Sequence, residues 1–155
     1  MARFYWNPYK IILRNKIANG FKAFSNGDYK PLLGLYADNV HQQFEGDHAL
    51  GGERFSKQKV EQWFQRFVRL LPSVFTIKDM VIQGGPWNTV VFMEFQDEVS
   101  PKGVAPYINN GIMKAIVKWG KAKQVHIYVD THKIQNALSQ LARQGVDEAA
   151  APPVT

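Results

Sequence analysis

The hydrophobic positions change period once along the chain, from helical spacing in the first half to strand alternation in the second. Leu13, Ile17, Phe21 and Phe24 recur at the intervals of one helix face, and Asn7-Pro8 supplies an N-cap followed by proline at the first helical position. That helix is expected to stop at Asn26-Gly27, with a short helix from Pro31 to Tyr36 after it. Val40 to Glu45, VHQQFE, reads as a strand leading into the glycine-rich loop GDHALGG. Ser56 then caps a helix whose apolar stripe is Val60, Trp63, Phe64, Phe67 and Leu71, while Gln62, Arg66 and Arg69 face away.

Beyond Pro72 the alternation takes over. Strands are expected over Val74 to Gln83 and Thr89 to Asp97, joined at Gly84-Gly85-Pro86. A long antiparallel hairpin follows from Pro106 to Asp130, turning at Gly120-Lys121-Ala122-Lys123. Asp130-Thr131 opens a last helix with Ile134, Leu138 and Leu141 as its stripe and Gly145 as its stop. VDEAAAPPVT reads as a loosely packed tail. Helices first and strands later indicate an α+β fold, with helices on one face of an antiparallel sheet and no alternating βαβ units. The expected organisation is one domain over residues 1–145 and a tail over 146–155.

Alternation also sorts the strand faces. Tyr107, Asn109, Gly111, Met113, Ala115, Val117 and Trp119 share one face of the hairpin, and Ile108, Asn110, Ile112, Lys114, Ile116 and Lys118 share the other. The lysine face is the outer one. By the same rule Val125, Ile127 and Val129 point inward against His126 and Tyr128, and Val91, Met93, Phe95 and Asp97 point inward against Phe92, Glu94 and Gln96.

Composition narrows the class. With 155 residues, 45% hydrophobic and 21% charged, the chain suits one globular domain that buries a real core. It has no run of eighteen apolar residues, and its first twenty residues lack the pattern of a secretory leader, so a soluble, cytoplasmic protein with no membrane partner is expected. The absence of cysteine excludes disulfides, thiolate metal sites and cysteine nucleophiles. The net charge of +6 is clustered: Arg3, Lys10, Arg14, Lys16 and Lys22 lie in residues 1–27, and Lys102, Lys114, Lys118, Lys121 and Lys123 in residues 99–129, with no acid in either stretch. No nucleic-acid motif accompanies it, so the lysines read as a solvated face and a nucleic-acid partner is not expected.

Three stretches carry a resemblance: FSNGDYKPLLGLYADNV (Phe24 to Val40), the FEGDHALGG loop, and the hairpin and last helix from Pro106 to Leu138, with EAAAPP closing the chain. Together they resemble the nuclear transport factor 2-like superfamily, in particular the SnoaL-like, ketosteroid-isomerase-related proteins. The resemblance implies a cone-shaped curved antiparallel sheet with helices on its concave face and a hydrophobic pocket inside. It implies no single reaction, because isomerases, cyclases, dehydratases, epoxide hydrolases and non-catalytic binding modules share that scaffold. The positions of the ketosteroid isomerase tyrosine, aspartate base and second acid are matched by Gly20, Gln43 and Asn109, so that catalytic set is not retained. In the similar limonene epoxide hydrolases, the water-positioning tyrosine and asparagine match His41 and Gln43, while the arginine and two aspartates fall near Phe95, Asp97 and Ile127. Half of that set is missing.

What remains is His41 and Gln43 as an inward pair, with Asp97 and Asn109 across the cavity. Histidine titrates near neutrality, and a carboxylate within reach would fix its tautomer, giving a catalytic set of His41, Gln43 and Asp97. The competing reading has His41 bonded to a backbone carbonyl or to Tyr36 at the wall of a core. Trp63, Phe67, Phe95, Tyr107, Asn109 and Ile127 are the expected ligand contacts, and His48 sits at the pocket lip. Asp130 reads as a helix cap. No pair has metal-ligand spacing, and no motif calls for a cofactor. Two functions follow. One is a cofactor-independent lyase, isomerase or cyclase acting on a hydrophobic carbonyl compound by acid/base catalysis. The other is a non-catalytic binder or dimeric scaffold, pairing through an outer sheet face that carries Ile112, Ile116, His126 and Tyr128.

Overall fold

The computed structural model describes residues 7–155; Arg3 of the N-terminal basic cluster lies outside them. Helix α1 (Pro8–Phe24) begins where Asn7 accepts a hydrogen bond from the Lys10 amide, and α2 (Lys30–Leu33) follows. Strands β1 (Tyr36–Phe44) and β2 (Gly52–Arg54) precede α3 (Lys57–Leu70), whose N-cap Ser56 accepts from the Lys59 amide. Then come β3 (Ser73–Gly85), β4 (Asn88–Val99), β5 (Tyr107–Lys118), β6 (Lys121–Val129) and α4 (Thr131–Arg143), the last capped by Asp130.

The six strands form one curved, unclosed sheet in the order β2-β1-β6-β5-β4-β3. The α+β architecture is as expected, with one change: β1 pairs parallel to β6, so the sheet is not antiparallel throughout. These strands lie far apart in sequence and are joined by a crossover through the rest of the fold, which is how a parallel pair must be connected. The inward faces of β4, β5 and β6 hold Val91, Met93, Phe95, Met113, Ala115, Val117, Val125 and Ile127, and the stripes of α1, α3 and α4 pack into one core with them. Gly111 lies inward opposite Phe95, and a Cβ there would come within 2.4 Å of the Phe95 ring. The missing side chain is what lets that ring lie across β5.

Three expectations are corrected. The second helix stops at Leu33, and Tyr36 already belongs to β1. The hairpin turn is not Gly120 to Lys123 but the two residues Trp119-Gly120, closed by the Lys118–Lys121 pair. A two-residue hairpin turn of type I′ needs positive φ at both positions; Trp119 takes φ 52° and Gly120 φ 78°. Trp119 therefore leaves the inward face and is 74% exposed. The tail, finally, is docked. Its 3-10 turn Asp147–Ala150 buries Ala149, Arg69 makes two hydrogen bonds to Glu148, and Arg66 donates to the Pro152 carbonyl. The Arg69 guanidinium holds the Glu148 carboxyl below its usual range. Among the described residues, no helix is long and apolar enough to cross a membrane.

A bulky residue held at positive φ stores strain that asparagine does not. Trp119→Asn is expected to raise stability by about 0.5–1 kcal/mol, read as a higher denaturation midpoint in urea.

Candidate functional site

Hydrophobic burial fixes the parity of β1. Val40 and Phe44 are buried, which puts Gln42 inside and turns His41 and Gln43 outward. Both inward expectations are thereby corrected. His41 is half-exposed on the outer face, its Nε2 2.8 Å from Glu53 and its ring stacked on exposed Phe55. Gln43 donates to Glu45, which also pairs with His126 Nε2, while His126 Nδ1 is bonded to the Tyr128 hydroxyl. No described group connects these side chains to the cavity within the sheet.

The inward Gln42 accepts from Arg54, a fully buried residue that sequence reading passed over. Arg54 Nη2 also donates to the Gly51 and Gly52 carbonyls, and its guanidinium lies 5.5 Å from the centre of the Trp63 ring. Burial lowers its pKa to about 10, so it stays charged at neutral pH. These bonds, with Trp63 Nε1 donating to the Leu50 carbonyl, tie the glycine-rich loop to α3. The sequence signal was GGERF, an arginine between a glycine pair and the next helix cap.

Between the sheet and α1, α3 and α4 lies a cavity of about 80 Å³. Its wall is built almost wholly of apolar and aromatic side chains, including Phe21 and Phe24 from α1, Tyr36 and Phe44 from β1, Trp63 and Phe67 from α3, Phe95 from β4 and Ile127 from β6. The structure thus brings Trp63, Phe67, Phe95, Asp97, Tyr107 and Ile127 to one cavity. Phe21, Tyr36 and Phe44 were missed as lining, although their helix and strand parity was readable.

Asp97 is the one charged residue among the described lining residues. It is 5% exposed, and its Oδ1 has no hydrogen-bond partner. Burial pushes its pKa up from 3.8 to about 6. Tyr107, two residues from the cross-strand partner of Asp97 on β5, shares the wall, and its hydroxyl is also buried without a partner. Burial, and then the charges of Asp97 and Asp130, push that phenol above its ordinary range, so it remains a neutral donor. Tyr36, buried at the same cavity, is raised to about 12 by burial.

Asn109 lies opposite Asp97, but its amide is already used. Its Oδ1 accepts from the Asp130 and Asn110 amides, and its Nδ2 donates to the Asp130 carbonyl. It clamps β5 to the start of α4 and does not line the cavity, which corrects its expected ligand role. His48 is likewise absent from the wall. Its Nδ1 accepts from the Leu50 amide, it packs against Phe44, and burial lowers its pKa. Asp130 caps α4 by accepting from the His132 and Lys133 amides. No cluster of three or more metal-ligating side chains occurs among the described residues.

No protein-family model matches the chain, and no curated protein is significantly similar to it. Solved structures are similar in fold. PrhC from Penicillium brasilianum superposes with a TM-score of 0.72 at 15% identity, over 88% of this chain and 92% of that one. A putative isomerase from Bacillus subtilis gives 0.69 at 12% identity, over 82% and 92%. A ketosteroid isomerase-like hypothetical protein from Catenulispora acidiphila, in complex with trimethylamine, gives 0.62 at 15% identity, over 90% and 97%. The chain has the nuclear transport factor 2-like fold.

Asp97 makes the site costly to hold. Its pKa is raised in the folded state, so the folded protein binds the proton more tightly between pH 3.8 and about 6, and stability from this group is full below that window and lost across it. Asp97→Asn is expected to be more stable than the parent at pH 7.5 by about 1–3 kcal/mol. The difference between the two proteins should shrink below pH 6, as measured by urea denaturation across pH.

Proposed function

We propose that this protein takes a small hydrophobic molecule into the cavity and moves a proton on it with Asp97. The observation that carries this reading is one carboxylate oxygen, Asp97 Oδ1, and one phenol, Tyr107, both without hydrogen-bond partners in a largely apolar wall. With its pKa near 6, Asp97 is mostly ionised at neutral pH yet basic enough to accept a proton. On a carbonyl compound, the carboxylate takes a proton from the carbon next to the carbonyl. The C–H bonding pair forms the enolate C=C bond as the carbonyl π pair moves to oxygen, and the neutral Tyr107 hydroxyl donates a hydrogen bond to the resulting enolate oxygen. Asp97 then returns the proton to the same carbon, which is exchange, or to another carbon, which is isomerisation. The trimethylamine held by the Catenulispora acidiphila protein supports small-molecule binding on this fold.

Deuterium incorporation next to the carbonyl of cyclopentanone in D2O, followed by NMR, tests the reading. The rate is expected to rise with pH through about 6 and then level off. Asp97→Asn should lower it by roughly 10²–10⁴-fold, and Tyr107→Phe by roughly 10–10²-fold. A rate unchanged in the Asp97 variant would leave only a non-catalytic binder.

A homodimer through the outer sheet face is a second part of the proposal. Phe92, Ile108, Ile112 and Tyr128 are each about half exposed there, with Glu94 and Lys114 interleaved among them. Light scattering at micromolar concentration should give twice the chain mass, and Ile112→Asp should give a monomer. A parent protein that runs as a monomer would remove the dimer.

A further inference from the structure

Resting on the reading that this cavity is the ligand site, we propose that it selects small hydrophobic amines bound as ammonium ions, with Asp97 as the counter-ion. The cavity holds an acidic group and no basic one: no lysine, arginine or histidine belongs to its described lining, and Asp97 forms no ion pair among the described residues. A neutral ligand leaves the charge of Asp97 uncompensated inside the cavity. An ammonium supplies both the missing charge and an N–H donor for the free Oδ1.

The walls next to Asp97 suit a cation with apolar substituents. Phe21, Phe75 and Phe95 form a ring cluster with centroids 5.4 to 6.5 Å apart, Phe75 being the cross-strand neighbour of Asp97 on β3 and Phe95 sharing its face of β4. Tyr107 closes the other side from β5. Aromatic faces attract an organic cation through their quadrupoles while packing against its methyl groups. Sodium or potassium would find no oxygen shell there beyond one carboxylate and the phenols, and would stay hydrated outside. An anionic ligand would meet Asp97 as a like charge. Size sets the upper bound: about 80 Å³ is roughly half the volume of a cavity that takes benzene, so ligands of roughly five non-hydrogen atoms fit without displacing the walls.

The isosteric pair tert-butylammonium and tert-butanol isolates the charge. Each is titrated at pH 7.5 into the parent protein and into Asp97→Asn, with the Trp63 indole N–H signal as the NMR readout, and cyclopentanone is titrated as a neutral carbonyl control. The ammonium is expected to bind the parent at least about tenfold more tightly than the alcohol. Asp97→Asn should lose that preference while keeping its affinity for the alcohol. Equal binding of the two isosteres by the parent, or a preference that survives in the Asn variant, overturns the proposal. Cyclopentanone binding without ammonium binding overturns it while leaving the cavity as the ligand site. A parent protein that binds none of the three overturns both.

Discussion

Among the described residues, Asp97 Oδ1 is the one carboxylate oxygen buried without a hydrogen-bond donor, and its desolvation is the constraint around which the cavity is built. Two other buried polar side chains on the sheet, Arg54 and Asn109, are tied into the protein. Arg54 is spread over two carbonyls and Gln42, and Asn109 is locked onto the Asp130 backbone. Asp97 Oδ1 has no such partner, and the neighbours of Asp97 across the strands are Phe75 and the already committed Asn109. Strain of this kind persists only where the surrounding packing over-determines it.

That packing comes from the helices. The stripes of α1, α3 and α4 cover the inward faces of β4, β5 and β6, but convex helices cannot fill a concave sheet completely, and a cavity is left between them. Gly111 removes a side chain that would push Phe95 aside, so the ring stays beside the carboxyl. The docked tail and the Arg54 cluster work from the outside, holding the glycine-rich loop and α3 as a closed edge.

The histidines lie elsewhere. His41 and His126 each pair with a glutamate on the outer face, and His48 is bonded within its loop, so none of the three lines the cavity. The acid/base chemistry proposed for this protein therefore rests on a carboxyl adjusted by burial. The similar solved structures share the fold at 12–15% identity, which leaves the chemistry of each cavity to its own residues.

The sequence by itself determined the elements and most of the inward face. Alternation in β4, β5 and β6, the helical stripes and the caps at Asn7, Ser56 and Asp130 are local properties, readable from spacing. It also held the parity of β1 in Val40 and Phe44; weighting those two hydrophobic residues above the family pattern places Gln42 inside and His41 outside. Tertiary structure decided what spacing cannot express. Pairing of β1 with β6, the positive φ that a two-residue turn imposes on Trp119, and the meeting of Glu148 with two arginines each depend on contacts between distant segments. The same holds for the site: an inward aspartate is visible in the alternation, but that its Oδ1 has no hydrogen-bond partner is a property of everything packed around it.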